Sequence, residues 1–438
     1  MVELFDHNQV ALNNLMTTLR KTKRTSIIQP TGTGKSYVAL GYIAQRPELR
    51  VAYLSPSTRI FDHVSLAVKD DPSVLDNVTF ISYQKLHRMS DEEIKALHFD
   101  VIIFDEYHRC GAKLWQVAIW KLVANNPQTI LIGLSATPIR YLDQRGVRDM
   151  TQELFNSSVA HQYTMAQAIA DGNLPKPLYV LADIERKDIL AAATARFNEL
   201  KREGISSSFV SALQECLEEM RRNIQDAEGI EQVFEKYLPP HAKLIVFGRG
   251  YEHLKEIHKN MKGWLGSEEE IHSYFCRAKD FDYDADEQLR AFRNDNSPCI
   301  RLLYTVDMLN EGVHIDDLTG VVMLRPTASP NVYLQQLGRC LASGKNATQQ
   351  PIIFDLVNNY QRAKVKGDKK PVLETELGNP RVRGNGLNSI ELFTFRIDET
   401  VISFDEVSQR FNNMTSNTRD QKWMEMFLRL KEEMEKKK

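Results

Sequence analysis

The chain has 438 residues, of which 42% are hydrophobic and 26% charged, ordinary globular usage that excludes a mostly disordered chain or a fibre. Its 56 basic and 58 acidic residues leave a net charge of −2. No global basic field announces a polyanionic partner, although a local basic groove can sit inside a neutral total.

The five cysteines, Cys110, Cys216, Cys276, Cys299 and Cys340, are scattered and form no CxxC pair. That reads as reduced thiols, with no zinc site and no disulfide framework. The start, MVELFDHNQ, lacks the apolar stretch of a signal peptide. No apolar run reaches the ~18 residues of a membrane span. The expectation is a cytoplasmic protein without a membrane partner.

Taken in chain order, the first part alternates short β-branched runs with longer helical stretches. Strands are expected at Ser26–Gln29, Val51–Leu54, Val78–Ser82, Val101–Phe104 and Thr129–Gly133. Apolar runs of this length, separated by helical patterns, imply a parallel sheet covered on both faces. From about Glu185 to Tyr237 the chain is rich in Glu, Lys, Arg, Ala and Leu and reads as helices, an inserted arm or an ordered linker. After Pro239-Pro240 the alternation returns, with strands expected at Leu244–Phe247, Ile300–Tyr304, Val321–Leu324 and Ile352–Asp355. A basic stretch, a Gly/Asn-rich stretch and a charged helical tail close the sequence. The expected fold class is α/β: two tandem parallel-sheet domains with a helical insertion and a small C-terminal extension. The expected boundaries are 1–180, 181–240, 241–360 and 361–438.

The strongest local signal is Gln29-Pro-Thr31-Gly32-Thr33-Gly34-Lys35-Ser36, between a strand and a helical run. Backbone N–H groups of such a turn cradle phosphate oxygens, and the following helix adds its N-terminal partial charge. Lys35 is placed to reach the terminal phosphates and the Ser36 hydroxyl to ligate Mg²⁺. Gln29 stands where the common motif has its first glycine. Next, an apolar strand delivers Asp105-Glu106-Tyr-His108 at its C-terminal end, where open α/β sheets bind ligands. Asp105 would hold Mg²⁺ and Glu106 would orient the attacking water, the positioning that phosphoryl transfer needs.

These residues resemble a family. PTGTGKS, DEYH and Ser135-Ala136-Thr137-Pro138 are similar to motifs I, II and III of superfamily 2 DEAD/DEAH-box helicases. Further blocks follow in the family's order. Ser55–Arg59 resembles motif Ia, and Phe80–Gln84 around Tyr83 resembles a nucleic-acid-contact motif. Ile245–Arg249 resembles motif IV, Tyr304–Ile315 motif V and Gln335–Arg339 motif VI. The flavour is that of type III restriction motors, UvrB-like proteins and bacterial helicases with a C-terminal helicase-associated region, whose start TRDQKWMEMFLRLKEE resembles.

The resemblance implies two RecA-like domains closing on ATP and Mg²⁺, with nucleic acid held by its backbone. Thr31, Gly32, Thr33, Gly34, Lys35, Ser36 and Gly312 would bind the nucleotide. Gln335 and Arg339 would sense the γ-phosphate, with Lys35, Asp105 and Glu106 completing the catalytic set. Ser135 and Thr137 would couple nucleotide state to movement, and Arg59, Tyr83 and Arg249 would meet nucleic acid. Leu-Phe-Asp-His-Asn-Gln9 resembles the adenine-reading glutamine motif, with Asn8 a competing choice to Gln9. Motif VI departs from the family, since its usual last arginine is Ala342. Arg339 then acts alone, Lys345 or Arg325 substitutes, or hydrolysis is slow. The expected function is an ATP-dependent helicase or translocase on DNA, with RNA the alternative track. The competing readings are an ATP-gated clamp and the motor of a restriction or phage-defence system with a nuclease partner.

Overall fold

A computed structural model describes residues 2–137, 139–142, 146–182, 186–225, 229–266, 270–276, 284–306, 315, 317–342, 350–364, 372–373, 381–383, 389–391, 394–397 and 399–415. Gly312, Lys345 and the charged tail lie outside them.

The first sheet contains β1 (Arg24–Ile28), β2 (Val51–Ser55), β3 (Val78–Ser82), β4 (Val101–Asp105) and β5 (Ile130–Ser135). A small hairpin of β6 (Ile139–Leu142) and β7 (Gly146–Asp149) follows, and β8 (Val159–Gln162) completes the sheet. Its order is β3-β2-β4-β5-β1-β8, all parallel. Every residue of β2 and β4 is buried, as a sheet covered on both faces requires. Side chains alternate between layers. Val51 and Tyr53 join the core under the helices Asp6–Leu19 and Lys35–Ala44, while Ala52 and Leu54 join the opposite core with the helix Gln116–Asn125.

The second sheet contains β9 (Leu178–Leu181), β10 (Lys243–Phe247), β11 (Ile271–Cys276), β12 (Ile300–Thr305), β13 (Gly320–Met323) and β14 (Ile352–Asp355). After a short pair of β15 (Arg381–Arg383) and β16 (Ser389–Glu391), β17 (Thr394–Ile397) adds the last strand. The order is β11-β12-β10-β13-β14-β9-β17, again all parallel. The two tandem parallel-sheet units expected from the sequence are present.

Two pieces of the layout differ from the expected one. β9 begins within the stretch assigned to the first unit and crosses its expected boundary at 180, yet it pairs with β14 in the second sheet, Leu178 opposite Ile352. The chain therefore crosses between sheets before the helical arm begins. The C-terminal extension folds back onto both the second sheet and the arm. β17 pairs with β9, and the helix Glu399–Thr415 packs on the arm helices Arg186–Arg202 and Ser207–Gln225. Phe197, Phe209, Leu213, Met220, Phe404 and Phe411 form their shared core.

Candidate functional site

Three strand ends build the centre of the site. Ile28 lies opposite Ser135 and Asp105 opposite Leu134, so β1, β5 and β4 end side by side. The loop after β1 reaches the helix Lys35–Ala44 through Gly32 and Gly34, at φ of 89° and 82°. Residues with a Cβ rarely adopt that left-handed conformation. The loop is held from its side: Thr33 Oγ1 donates to the Pro30 carbonyl at 2.8 Å. The Thr33 carbonyl accepts from Asn8 Nδ2 at 2.9 Å and His7 Nε2 at 2.7 Å.

Lys35 Nζ sits 2.7 Å from Glu106 Oε1, both side chains nearly buried. Glu106 itself is left-handed at φ 51°, a strained position for a non-glycine residue of the kind that collects at functional sites. Its other oxygen, Oε2, is buried without a hydrogen-bond partner and lies 3.4 Å from His108 Nδ1. Asp105 accepts from the Tyr53 hydroxyl at 2.8 Å and from the Glu106 backbone N–H at 2.9 Å. Burial dominates at the same phenol and raises its pKa, although the Ser36 hydroxyl lies near and favours the ionised form.

The electrostatics are those of a crowded, dry site. Burial pushes the Asp105 carboxyl up to about 6, the neighbouring Glu106 charge adds to this, and Lys35 opposes it. Burial would also raise Glu106, but Lys35, His108 and Arg339 together hold it below the usual range. Burial would lower Lys35, yet the Glu106 and Asp105 charges raise it. At neutral pH the lysine and glutamate form an ion pair, while Asp105 is a carboxylate short of positive charge.

Arg339 arrives from the second sheet. It lies on the helix Pro330–Leu341 that follows β13, and its charge bears on both Lys35 and Glu106. The same helix touches the phosphate-type loop directly. A Cβ added to Gly338 would lie 2.8 Å from Thr31 Cβ, and one added to Gly32 would lie 2.7 Å from Ala342 Cα. Gln335 is buried on this helix. The cleft between the sheets thus joins Thr31, Gly32, Lys35, Asp105 and Glu106 to Gly338, Arg339 and Ala342.

The residues expected to couple nucleotide state to movement are also joined. His108 Nδ1 and Ser135 Oγ are 3.0 Å apart, and Ser135 Oγ donates to the Thr137 carbonyl at 2.7 Å. Glu106, the histidine and the two hydroxyl residues therefore form one chain across β4 and β5.

Several expected residues sit elsewhere. Gln9 does not reach the loop; its exposed amide donates to Asn13 at 3.2 Å, one turn along its own helix. Asn8 takes the loop contact, and its Oδ1 is buried without a partner. Tyr83 is fully buried, donates to the Asp105 carbonyl at 2.7 Å and packs near Trp115. It offers no face to a base. Arg59 reaches across to the second unit and pairs with Asp286 at 2.6 Å. Arg249 follows β10 and lines a cavity of ≈ 230 Å³ with His253, Asn260 and Trp264. The sequence reading missed Tyr53, whose only signal is a phenol in the middle of a buried strand.

Two family models match the chain. The Type III restriction enzyme res subunit matches residues 62–140, and the helicase conserved C-terminal domain matches residues 230–344. Each falls on one of the two sheet units. Both models are of the kind found in superfamily 2 DEAD/DEAH-like helicases, which this chain resembles in motif order as well.

A helicase-named protein of Sulfolobus islandicus filamentous virus is 23% identical over 358 residues, covering 76% of this chain and 60% of that protein. The DNA 3'-5' translocase XPB2 of Sulfurisphaera tokodaii is 21% identical over 386 residues, covering 81% of this chain and 82% of the translocase. Among solved structures, the ATP-dependent Type ISP restriction-modification enzyme LlaBIII bound to DNA aligns with a TM-score of 0.58 at 16% identity. That alignment covers 94% of this chain and 33% of the enzyme. The chain spans only part of the virus protein and of the restriction enzyme. Among the described residues, no helix is long and apolar enough to cross a membrane.

Proposed function

We propose that this chain is an ATP-driven nucleic-acid motor, a helicase or translocase, with DNA as its track. One observation carries the reading: Arg339 of the second unit bears on the buried Lys35–Glu106 pair of the first. A site divided between two units turns the state of a bound phosphate into opening and closing of the cleft.

The residues present fit ATP with Mg²⁺. Ser36 and Asp105 offer the hard oxygen donors that the ion prefers. Asp105 is a buried carboxylate short of positive charge, and Glu106 Oε2 is unpartnered. When bound, the ion supplies charge neutralisation at the phosphates. Lys35 holds the terminal phosphates, Glu106 orients and deprotonates water, and Gln335 and Arg339 sense the γ-phosphate. Asn8, rather than Gln9, presents an acceptor suited to an exocyclic amine on the base. His108, Ser135 and Thr137 relay the state of Glu106 along the strand ends. Arg59 and Arg249 meet backbone phosphates, which gives binding tolerant of sequence and sensitive to salt.

The match to a restriction-enzyme subunit and the likeness to LlaBIII favour a second proposal for the biological output. The motor would then work with a nuclease in a restriction or phage-defence system.

The test is steady-state ATP hydrolysis without nucleic acid, then with single-stranded DNA, duplex DNA and RNA in turn. Strong stimulation by one of them is the expected result and names the track. Binding of ATP and DNA with negligible turnover on every track would replace the motor with an ATP-gated clamp.

A further inference from the structure

The Arg59–Asp286 pair is the feature that the ATP cycle leaves unexplained. Arg59 stands at the start of the helix Thr58–Ala67, behind the capping Ser57, at the C-terminal end of β2. Asp286 stands in the first turn of the helix Ala285–Asn294, which follows β11. Both strands lie toward the side of their sheets away from β1 and β14, so the pair spans the cleft remote from Lys35. The guanidinium is mostly covered, its side chain 22% exposed, while the aspartate is 62% exposed. An arginine with an oxyanion at 2.6 Å is in the state in which it would hold a backbone phosphate. Asp284 caps the same helix and Glu287 adds a further acid in its first turn. Phosphate approaching Arg59 therefore meets an acidic edge instead of the bare helix start that usually welcomes an anion.

We propose that Asp286 is a phosphate mimic: it occupies the Arg59 guanidinium across the cleft, and a backbone phosphate of the nucleic acid must displace it. The inference rests on the motor reading above and adds a residue that sets nucleic-acid affinity. The freed Asp286 keeps a cation beside the strand, which offsets the counterion that the Arg59–phosphate contact releases. The intact protein therefore shows a shallower salt dependence than its cationic contacts imply.

The experiment compares the full-length protein with Asp286→Asn, which keeps a polar residue in the helix's first turn, and with Arg59→Ala/Asp286→Asn. Anisotropy of a labelled single-stranded DNA oligonucleotide is followed over a salt series. Asp286→Asn should bind roughly two- to fivefold tighter, the size an exposed ion pair commands. Its log–log salt slope should steepen by about 0.7, one phosphate contact on a single strand. Both gains should vanish when Arg59 is also removed. Asp286→Ser serves as a second neutral variant in case the asparagine disturbs folding. DNA binding by the unmodified protein with affinity and slope unchanged in both neutral variants would overturn the phosphate mimic alone. Failure of the unmodified protein to bind DNA, duplex or RNA would overturn the motor reading and the mimic with it.

Discussion

Gly338→Ala tests the closed cleft without touching a reacting group. Gly338 lies inside the helix Pro330–Leu341 of the second unit. The three atoms nearest to an added Cβ all belong to Thr31 of the first unit, at 2.8, 3.2 and 3.5 Å. Carbon atoms settle at about 3.5–4.0 Å, so the helix must retreat by somewhat under 1 Å or the loop must give way. Overpacking of a fitted contact costs about 1–3 kcal/mol. Alanine improves helix propensity by about 0.8–1.0 kcal/mol, but that gain is common to open and closed states and does not offset closure. At 1.36 kcal/mol per tenfold, kcat/KM for ATP should fall about five- to 150-fold.

The assay is steady-state ATP turnover with stimulating nucleic acid, alongside a thermal melt. The melt should be unchanged or slightly raised. Thr31→Gly in the same chain removes the atoms that collide and should restore part of the activity. Turnover equal to that of the unmodified protein would refute the reasoning, because the helix and loop would then not meet in the working state. A lowered melting temperature would place the damage inside the second unit instead.

Four other outcomes follow from the site and the second sheet. Lys35→Ala should abolish nucleotide binding in a titration with a fluorescent ATP analogue, since it removes the cation placed to hold the terminal phosphates. Glu106→Gln should keep that binding and lower turnover by roughly 10²–10⁴; normal turnover would remove it as the base. Tyr53→Phe deletes the phenol that holds Asp105 and should raise the Mg²⁺ concentration for half-maximal turnover by up to about tenfold, measured in a metal titration. At β11, His272 Nδ1 pairs with Asp295 at 2.7 Å, and this hydrogen bond raises the histidine's pKa above 6.5. A raised histidine contributes stability that is complete below its unfolded value and disappears as pH climbs through the folded value. His272→Gln should therefore lower the melting temperature at pH 6 and leave it unaltered at pH 9. The gap should be only on the order of 1–2 °C because the pair is partly exposed; an equal gap at both pH values would contradict the sign.

What the sequence makes legible depends on whether backbone demand or spatial neighbourhood selects the residue. Lys35, Asp105 and Glu106 follow from strand, loop and helix order, because parallel strands must end where the ligand sits. The strands β10, β12, β13 and β14 are apolar runs for the same reason of two-sided burial. β8 and β11 are mixed in composition because they lie at or near sheet edges and stay half exposed, so no continuous apolar run marks them. Asn8 and Gln9 are neighbours in a motif but lie about 100° apart around a helix. Asn8 shares its face with the buried Ala11, Leu12 and Leu15. That period, available in the sequence, points Asn8 inward and Gln9 to solvent, whereas matching the motif letter alone selects the wrong one.

Ala342 likewise owes its contacts to its place on a helix face. Gln335, Gly338, Arg339 and Ala342 are spaced three and four apart, so they lie along one side of the helix. Gly338 meets Thr31, and Ala342 meets the next residue, Gly32. Two small residues one turn apart thus lie on two consecutive loop residues, a contact that admits no added atom at Gly338 or Gly32. Arg339 emerges beside that contact, close enough for its charge to help hold Glu106 low and to oppose the rise at Lys35. The arginine missing at 342 is therefore better explained by fit than by loss of catalysis. The small residue lets the helix come down on the loop, and that approach brings the remaining arginine to the site. A slow clamp would need the cleft to close without a cation from the second unit beside Glu106, and Arg339 supplies one.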